Sequence, residues 1–279
     1  MFRPTTLLAA SVILASMTAT TAMAADPYVL EKDFSADNPL AGSIIKGEAS
    51  RFSAGNDGIT AKYDTADSSA MILIPFDGNR YNQDSTFTLT TTLTNFIVPP
   101  SNFGGQAPAF GLANSKTTGD DRASWPGGTS YDIIAFEYFP TASTEFSSSI
   151  NFTAIQSDNG EGGIWGRFIS GLYSGIEYTK LADGELTITI AYDGTTKTGS
   201  LSGPGFDTIT ADFTGTVFEI DSFAIFLWND PWVDDGSDII AGNVTFQSFR
   251  FVGANPIPEP ASLGLLATGA LFMMARRRR

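Results

Sequence analysis

The chain has 279 residues, 42% hydrophobic and 12% aromatic, with 22 Phe, which is enough apolar side chain for a sizeable core and excludes a disordered body. Its net charge of −14, from 16 basic and 30 acidic residues, excludes nucleic acid as a partner and keeps the body off anionic lipid headgroups. Cys and His are both absent, so there is no disulfide, thiol nucleophile, Ser-His-Asp triad or imidazole ligand, and any metal has to sit on oxygen atoms, as calcium does.

The first segment reads as an export signal. Arg3 supplies a positive start, Leu7 to Met17 an apolar stretch, and Ala22-Met23-Ala24 an A-x-A cleavage site, which predicts a signal peptide over 1–24. The apolar stretch is too short and too rich in small residues and Thr for a comfortable membrane span.

The body, 25–254, is predicted to be one β domain. "STFTLTTTL" alternates Phe87, Leu89, Thr91 and Leu93 against Thr86, Thr88, Thr90 and Thr92, and "ELTITIAYDG" alternates Leu186, Ile188, Ile190 and Tyr192 against Thr187, Thr189 and Ala191. Period-two patterns of this kind belong to strands with one wet face. "GITAKYD", "AMILIPF", "DIIAFEYF", "SINFTAIQ", "VFEIDSFAIFLW" and "NVTFQSFRFVG" are further strand candidates, separated by Gly, Asn and Asp clusters. "YDGTTKTGSL" reads as a hairpin around Asp193-Gly194. No convincing 3.6-residue period, repeat or internal linker interrupts this series. So many strands predict an all-β, two-sheet antiparallel β-sandwich of the jelly-roll kind, flanked by the signal helix and a C-terminal apolar helix.

The order of "DIIAFEYFP", "ELTITIAYDGTTKTGSLSG", "FEIDSFAIFLWND" and the closing "NVTFQSFRFV" resembles the concanavalin-A-like lectin/glucanase fold. The resemblance implies two kinds of site. Legume-type lectins of this fold carry a Glu-x-Asp pair that binds metals together with a His. Here Glu137 stands alone, with Phe139 in the second position and no His anywhere. Laminarinase-like hydrolases of the fold carry Glu-x-Asp-x-x-Glu on one strand, because glycoside hydrolysis needs one carboxyl as nucleophile and another as acid. "FEIDSFAI" offers Glu219 and Asp221, two residues apart and expected on one strand face, but Ala224 stands in the third position. Charged residues at a sheet edge explain the pair equally well.

Loops supply the other candidates. "LWNDPWVDDGSD" sets Asp230, Asp234, Asp235 and Asp238 beside Trp228 and Trp232. Clustered carboxylates in a loop are candidate calcium ligands, and an exposed Trp, including Trp125 in "RASWPGGTSYD" or Trp165 in "SDNGEGGIWGRF", offers a flat surface to a sugar ring. A polar turn with its Trp folded onto the sandwich accounts for the same residues. "FDGNRYNQD", with Asp77, Asn79 and Asp84, reads as a turn as readily as a metal site. No cofactor other than a calcium ion is implied.

The last segment, 255–279, leaves the body through "GANPIP". Ala261 to Ala275 is an apolar helix candidate closed by Arg276, Arg277, Arg278 and Arg279. At 1.5 Å per residue it reaches about 22 Å, short of the roughly 30 Å hydrocarbon layer. Pro258 and Pro260 prevent extension backwards, and the arginines hold the far end on the cytoplasmic side. Pro258-Glu259-Pro260, the apolar run and the terminal Arg cluster, in that order, are similar to the PEP-CTERM sorting signal. That resemblance implies an exported protein of a Gram-negative bacterium, processed at the motif by exosortase, a membrane transpeptidase, held in the membrane by its tail beforehand, and associated with exopolysaccharide. The expectation is therefore a non-enzymatic protein of the cell surface or extracellular matrix in contact with polysaccharide. Two alternatives stay open: a secreted glycoside hydrolase using Glu219 and Asp221, and a calcium-supported lectin using the Asp230 to Asp238 loop.

Overall fold

The computed structural model describes residues 26–64, 70–98, 108–117, 132–139, 148–156, 167–176, 181–182, 184–227 and 241–257. Within them the chain runs from strand to strand: β1 (Tyr28–Asp33), β2 (Ile44–Gly47), β3 (Phe52–Gly55), β4 (Gly58–Asp64), β5 (Ala70–Pro75), β6 (Tyr81–Asn82), β7 (Thr86–Ile97), β8 (Ala109–Ala113), β9 (Ile133–Phe139), β10 (Ser149–Gln156), β11 (Arg167–Ser174), β12 (Leu186–Asp193), β13 (Thr198–Gly203), β14 (Phe206–Asp212), β15 (Glu219–Ile220), β16 (Ser222–Leu227) and β17 (Ala241–Ala254). The expected signal helix and C-terminal apolar helix lie outside the described residues. Among the described residues no helix is long and apolar enough to cross a membrane.

Two antiparallel sheets make the jelly-roll sandwich. One runs β14-β13-β12-β7-β17-β4-β3, with β1 also on β17. The other runs β11-β10-β9-β8-β16-β5-β2, and β15 and β6 form a small ribbon of their own. Alternation along each strand sends one set of side chains between the sheets. In β7 these are Phe87, Leu89, Thr91 and Leu93, all buried, while Thr88, Thr90, Thr92 and Thr94 are partly exposed. β12 behaves alike, burying Leu186, Ile188, Ile190 and Tyr192. The Asp193–Thr198 hairpin forms as its sequence suggests, with Thr195 N–H donating to Asp193 Oδ1 at 2.8 Å. Its left-handed residue is Lys197 (φ 56°), not Gly194. Gly194 is needed for close approach, since a Cβ there would lie 2.4 Å from the Ser85 carbonyl oxygen.

Strands β1, β2, β3, β8, β11 and β14 carry no alternation long enough to stand out in the sequence. β8 shows why. "AFGLA" is buried on both faces, so it lacks the polar half of the pattern. Its Gly111 packs against β9, where a Cβ would meet the Ile134 carbonyl oxygen at 2.1 Å.

The interior is aromatic. Phe76 and Phe251 stack at 4.1 Å and 14°, Phe223 and Phe249 at 4.3 Å and 13°, and Phe110 lies 5.0 Å from Phe136. Ring pairs of this kind add about 0.5–1.5 kcal/mol beyond their burial. The outer face of the seven-stranded sheet holds a second apolar cluster of Met71, Leu73, Ala109, Ala113, Ile133, Ala135, Ala224 and Phe226, all fully buried. That sheet is therefore apolar on both sides over much of its area.

Thr91 Oγ1 is buried in the core with no hydrogen-bond partner among the described residues. A buried hydroxyl without a partner loses its hydration uncompensated. Thr91→Val is expected to raise stability by about 1 kcal/mol, which calorimetry would read as a melting temperature about 2–4 °C higher for a domain of this size.

Buried tyrosines set the alkaline limit. Tyr192 donates its hydroxyl to the Gln83 carbonyl at 2.8 Å. Burial first, then the Asp84 and Asp193 carboxylates, push its pKa up to about 12. Burial also raises Tyr63 and Tyr81, and burial together with Asp77 raises Tyr28. The folded state keeps these protons where the unfolded chain releases them, so the stability they contribute is complete below about pH 10 and falls as pH climbs past it. Tyrosinate absorbance is expected to rise together with loss of the β circular-dichroism signal above about pH 10; tyrosinate formation throughout a still-folded protein would contradict this.

Candidate functional site

Most carboxylates of so acidic a chain stay in water. Those drawn inward are where chemistry or structural need concentrates, and among the described residues they fall in two places.

The first is the end of the sandwich where β5 and β8 finish and β9 and β16 begin. The strand expected through "FEIDSFAI" is interrupted at Asp221. Glu219 lies in the small ribbon, opposite Asn82, whereas Ser222 opens β16 in the seven-stranded sheet. The break gives the two carboxylates different partners. Glu219 Oε1 accepts from Arg80 Nη1 at 2.8 Å with both side chains partly exposed. Asp221 is 9% exposed. Its Oδ1 accepts from the Ser115 N–H and from Ser222 Oγ, and its Oδ2 accepts from Ser115 Oγ, each at 2.8 Å. The Asp221 backbone is held too, its N–H donating to the Ala113 carbonyl and its own carbonyl accepting from Phe76 N–H.

Sequence reasoning passed over the neighbours that complete this knot. Asp132, at 3% exposure, accepts the Glu219 N–H on Oδ2 at 2.8 Å, and its carbonyl accepts from Asn114 N–H. Asn114 Oδ1 in turn accepts from Lys116 N–H at 3.0 Å. The local signal was present in "NSKT", because Asn caps the backbone two residues ahead in turns. The partnership with Asp132 and Asp221 was not visible, since it joins positions far apart in the chain. Chemically the knot is a set of anchored turns: Asp221 fastens the segment that leaves β8, Asp132 fastens the ribbon, and the Arg80–Glu219 pair ties the ribbon's two arms.

The second place is the outer face of the seven-stranded sheet. Glu137 is 2% exposed and follows Ile133 and Ala135 on that face of β9. Ala109 of β8 and Asn151 of β10 lie beside it. Its Oε2 accepts from Thr153 Oγ1 at 2.6 Å. Phe139, two residues on along the same face, takes the position in which a second carboxylate would stand.

The remaining candidates do not join these groups. Asp77 (φ 52°) accepts the Tyr28 hydroxyl at 2.9 Å, Asn79 folds back on Phe76, and Asp84 pairs with Lys197 at 2.6 Å. "FDGNRYNQD" thus turns into β6 with Asp77, Asn79 and Asp84 each engaged, while the buried Tyr81 hydroxyl has no hydrogen-bond partner among the described residues. Among the described residues no three carboxylates gather to hold a metal ion. Trp125, Trp165, Trp228, Trp232, Asp230, Asp234, Asp235, Asp238, Pro258, Glu259, Pro260 and Arg276, Arg277, Arg278 and Arg279 lie outside the described residues.

Residues 256–279 match the PEP-CTERM protein-sorting motif. The sandwich is similar to lectin I-B4 of Griffonia simplicifolia in its metal-free form, with a TM-score of 0.50 and 15% identity over 81% of this chain and 98% of that one. It is similar to basic winged bean lectin solved with Tn-antigen, at 0.52 and 11% over 84% and 100%, and to the Bacillus licheniformis beta-glucanase, at 0.50 and 13% over 80% and 97%. At such identities the likeness is one of fold, the concanavalin-A-like jelly roll. No sequence among the curated proteins matches the chain. A lectin and a glucanase on one fold leave function to be argued from the residues.

The contacts of the two carboxylates separate their roles. Asp221→Ala strands three donors in a buried turn and is expected to cost about 2–3 kcal/mol, whereas Glu219→Gln, which weakens a partly exposed ion pair, is expected to cost less than about 1 kcal/mol. Urea denaturation of the two variants would read the difference; equal losses would contradict this assignment.

Proposed function

We propose that this is an exported, non-enzymatic β-sandwich protein, sent across the inner membrane by the signal over 1–24 and sorted through Pro258-Glu259-Pro260, the apolar run to Ala275 and the four terminal arginines. An exosortase-type transpeptidase is its processing partner. The cell surface or extracellular matrix of a Gram-negative bacterium is its destination, and polysaccharide is what its folded body contacts there. The observation that carries the reading is the match of residues 256–279 to a protein-sorting motif, placed directly behind the last strand of the sandwich.

The non-enzymatic part rests on how the carboxylates are employed. A glycoside hydrolase needs two carboxyls about 5–5.5 Å or about 6.5–9.5 Å apart, both reaching a bound sugar. Asp221 spends both oxygens on turn donors, Glu219 is ion-paired, and Glu137 is buried beside Thr153. Polysaccharide contact is carried over from the lectin-like fold, with Trp125, Trp228 and Trp232 as the proposed stacking residues and the Asp230 to Asp238 loop as the proposed calcium holder.

The test is mass spectrometry of the protein recovered from the surface of its own cells, with a glycan array probed by the same material. The expected mass lacks residues 1–24 and the run after the motif, and the expected array signal falls when calcium is chelated. A full-length tail on the exported protein would overturn the sorting reading. Hydrolysis of a glycan that Glu219→Gln abolishes would overturn the non-enzymatic one.

A further inference from the structure

The sequence "GANPIP", residues 253–258, runs from the last strand into the matched sorting segment 256–279 and has the look of a free linker leading into Pro258-Glu259-Pro260. It is not free. Gly253 and Ala254 are still in β17. Asn255 then turns the chain through a left-handed conformation, φ 58°, and its carbonyl accepts from Ser85 Oγ at 2.9 Å. Pro256 follows, and the Ile257 N–H donates to the Arg80 carbonyl at 2.7 Å, forming a β-bridge between these two residues. Asn255–Ile257 is therefore a short strap seated on the β5–β7 connection. Arg80, whose carbonyl receives it, is itself fixed by its ion pair with Glu219, and Ser85 is fixed by the Asn82 turn.

The strap leaves the motif without slack. Pro258 is covalently next to Ile257, and the apolar run begins at Ala261. Four residues of extended chain span at most about 14 Å. While the run lies in the bilayer, the Arg80 corner of the sandwich is thus held within about that distance of the run's first residue. A transpeptidase must take the scissile segment as extended chain with its backbone groups unpaired, and the bridge occupies the segment immediately before the motif.

Resting on the sorting function proposed above, we infer that the Asn255–Ile257 strap, docked immediately before the first residue of the motif, controls the processing enzyme's access to it: the tail is cut when the strap has left the Arg80–Ser85 edge or when added chain spaces the motif away from the docked strap. The docked form keeps the Ile257 N–H paired with the Arg80 carbonyl right beside the motif, and the fraction of time the strap is undocked sets the rate at which the tail is removed. Among the described residues the strap's hold is local and weak enough to open, being one main-chain bond, one Ser hydroxyl bond and no buried apolar anchor beyond Ile257, which is itself only half-buried.

Pulse-labelling of the full chain in its own cells, with tail loss followed by mass, tests this in three forms. Ser85→Ala removes the hydroxyl bond to Asn255 and is expected to speed cleavage about fivefold, the equivalent of about 1 kcal/mol at 1.4 kcal/mol per tenfold. Insertion of Gly-Ser between Ile257 and Pro258 leaves every described contact in place but frees the motif, and is expected to speed cleavage at least as much. The melting temperature of the insertion variant is expected to match that of the unaltered protein. Cleavage at the same rate in all three forms, as would follow if the enzyme acted before the sandwich folds, overturns the strap's control and leaves the sorting reading standing. An uncut tail in all three overturns the sorting reading and this inference with it. An uncut tail in the unaltered chain alone, with the insertion cut, supports the strap as the block.

Discussion

One strand has to stay in register with three partners at once, and the rest of the sandwich depends on how it does so. β17 runs for 14 residues. One edge pairs with β7; the other pairs with β4 as far as Phe246 and with β1 from Ser248 onward. Strict alternation would carry Val244 and Phe246 into the core and then turn Phe249 and Phe251 out to solvent. A register shift between Phe246 and Ser248 adds the odd residue, Gln247, and all four side chains stay buried. A bulge of this kind also leaves a carbonyl unpaired within the ladder. The Gln247 carbonyl finds its donor in Phe34 N–H at 2.8 Å, where β1 ends. The change of partner and the change of register thus occur at one point, and each satisfies what the other leaves open.

That arrangement decides where the core lies. With Phe249 and Phe251 inward, one stacks on Phe223 of the opposite sheet and the other on Phe76 at the end of β5. The two sheets are therefore locked by ring contacts that start from β17. β7 makes the same correction at Asn95, whose φ of 49° lets Leu93 and Phe96 both point inward although they are an odd number of positions apart. The outer faces of the two sheets then differ. The eight-stranded sheet presents Thr and Ser, with hydroxyls paired across strands at Thr60–Thr245. The seven-stranded sheet buries a second apolar cluster around Glu137.

The same ordering decides how the buried carboxylates among the described residues are employed. Two of them, Asp221 and Asp132, serve as acceptors for backbone N–H groups at turns, which is an effective use of a buried negative charge because the donors lower the cost of its desolvation; Glu137 accepts the Thr153 hydroxyl instead. Asp221 and Asp132 hold one end of the sandwich together in this way. The Arg80–Glu219 pair belongs to the same end, and Arg80 also receives the strap that precedes the sorting motif. The corner that stabilises the ribbon is therefore the corner from which the tail departs.

Several features were legible in the sequence alone, for physical reasons that are local. The Thr-Phe and Thr-Ile alternations of β7 and β12 fix strand, face and core side chains, because side-chain direction in a strand has period two. The hairpin after Asp193 follows from turn chemistry, and the sorting motif from the order of two prolines, an apolar run and arginines. The absence of Cys and His excluded whole classes of chemistry by composition. Other features required the tertiary structure. β8 is buried on both faces and shows no pattern. Glu219 and Asp221 are two residues apart on what reads as one strand, yet a break at Asp221 sends them to Arg80 and to Ser115, partners more than 100 residues away in sequence. "GANPIP" has the composition of a linker, and only the bridge from Ile257 to Arg80 makes it a docked strap. In each case the deciding partner lies on a distant segment, and only folding brings the two together.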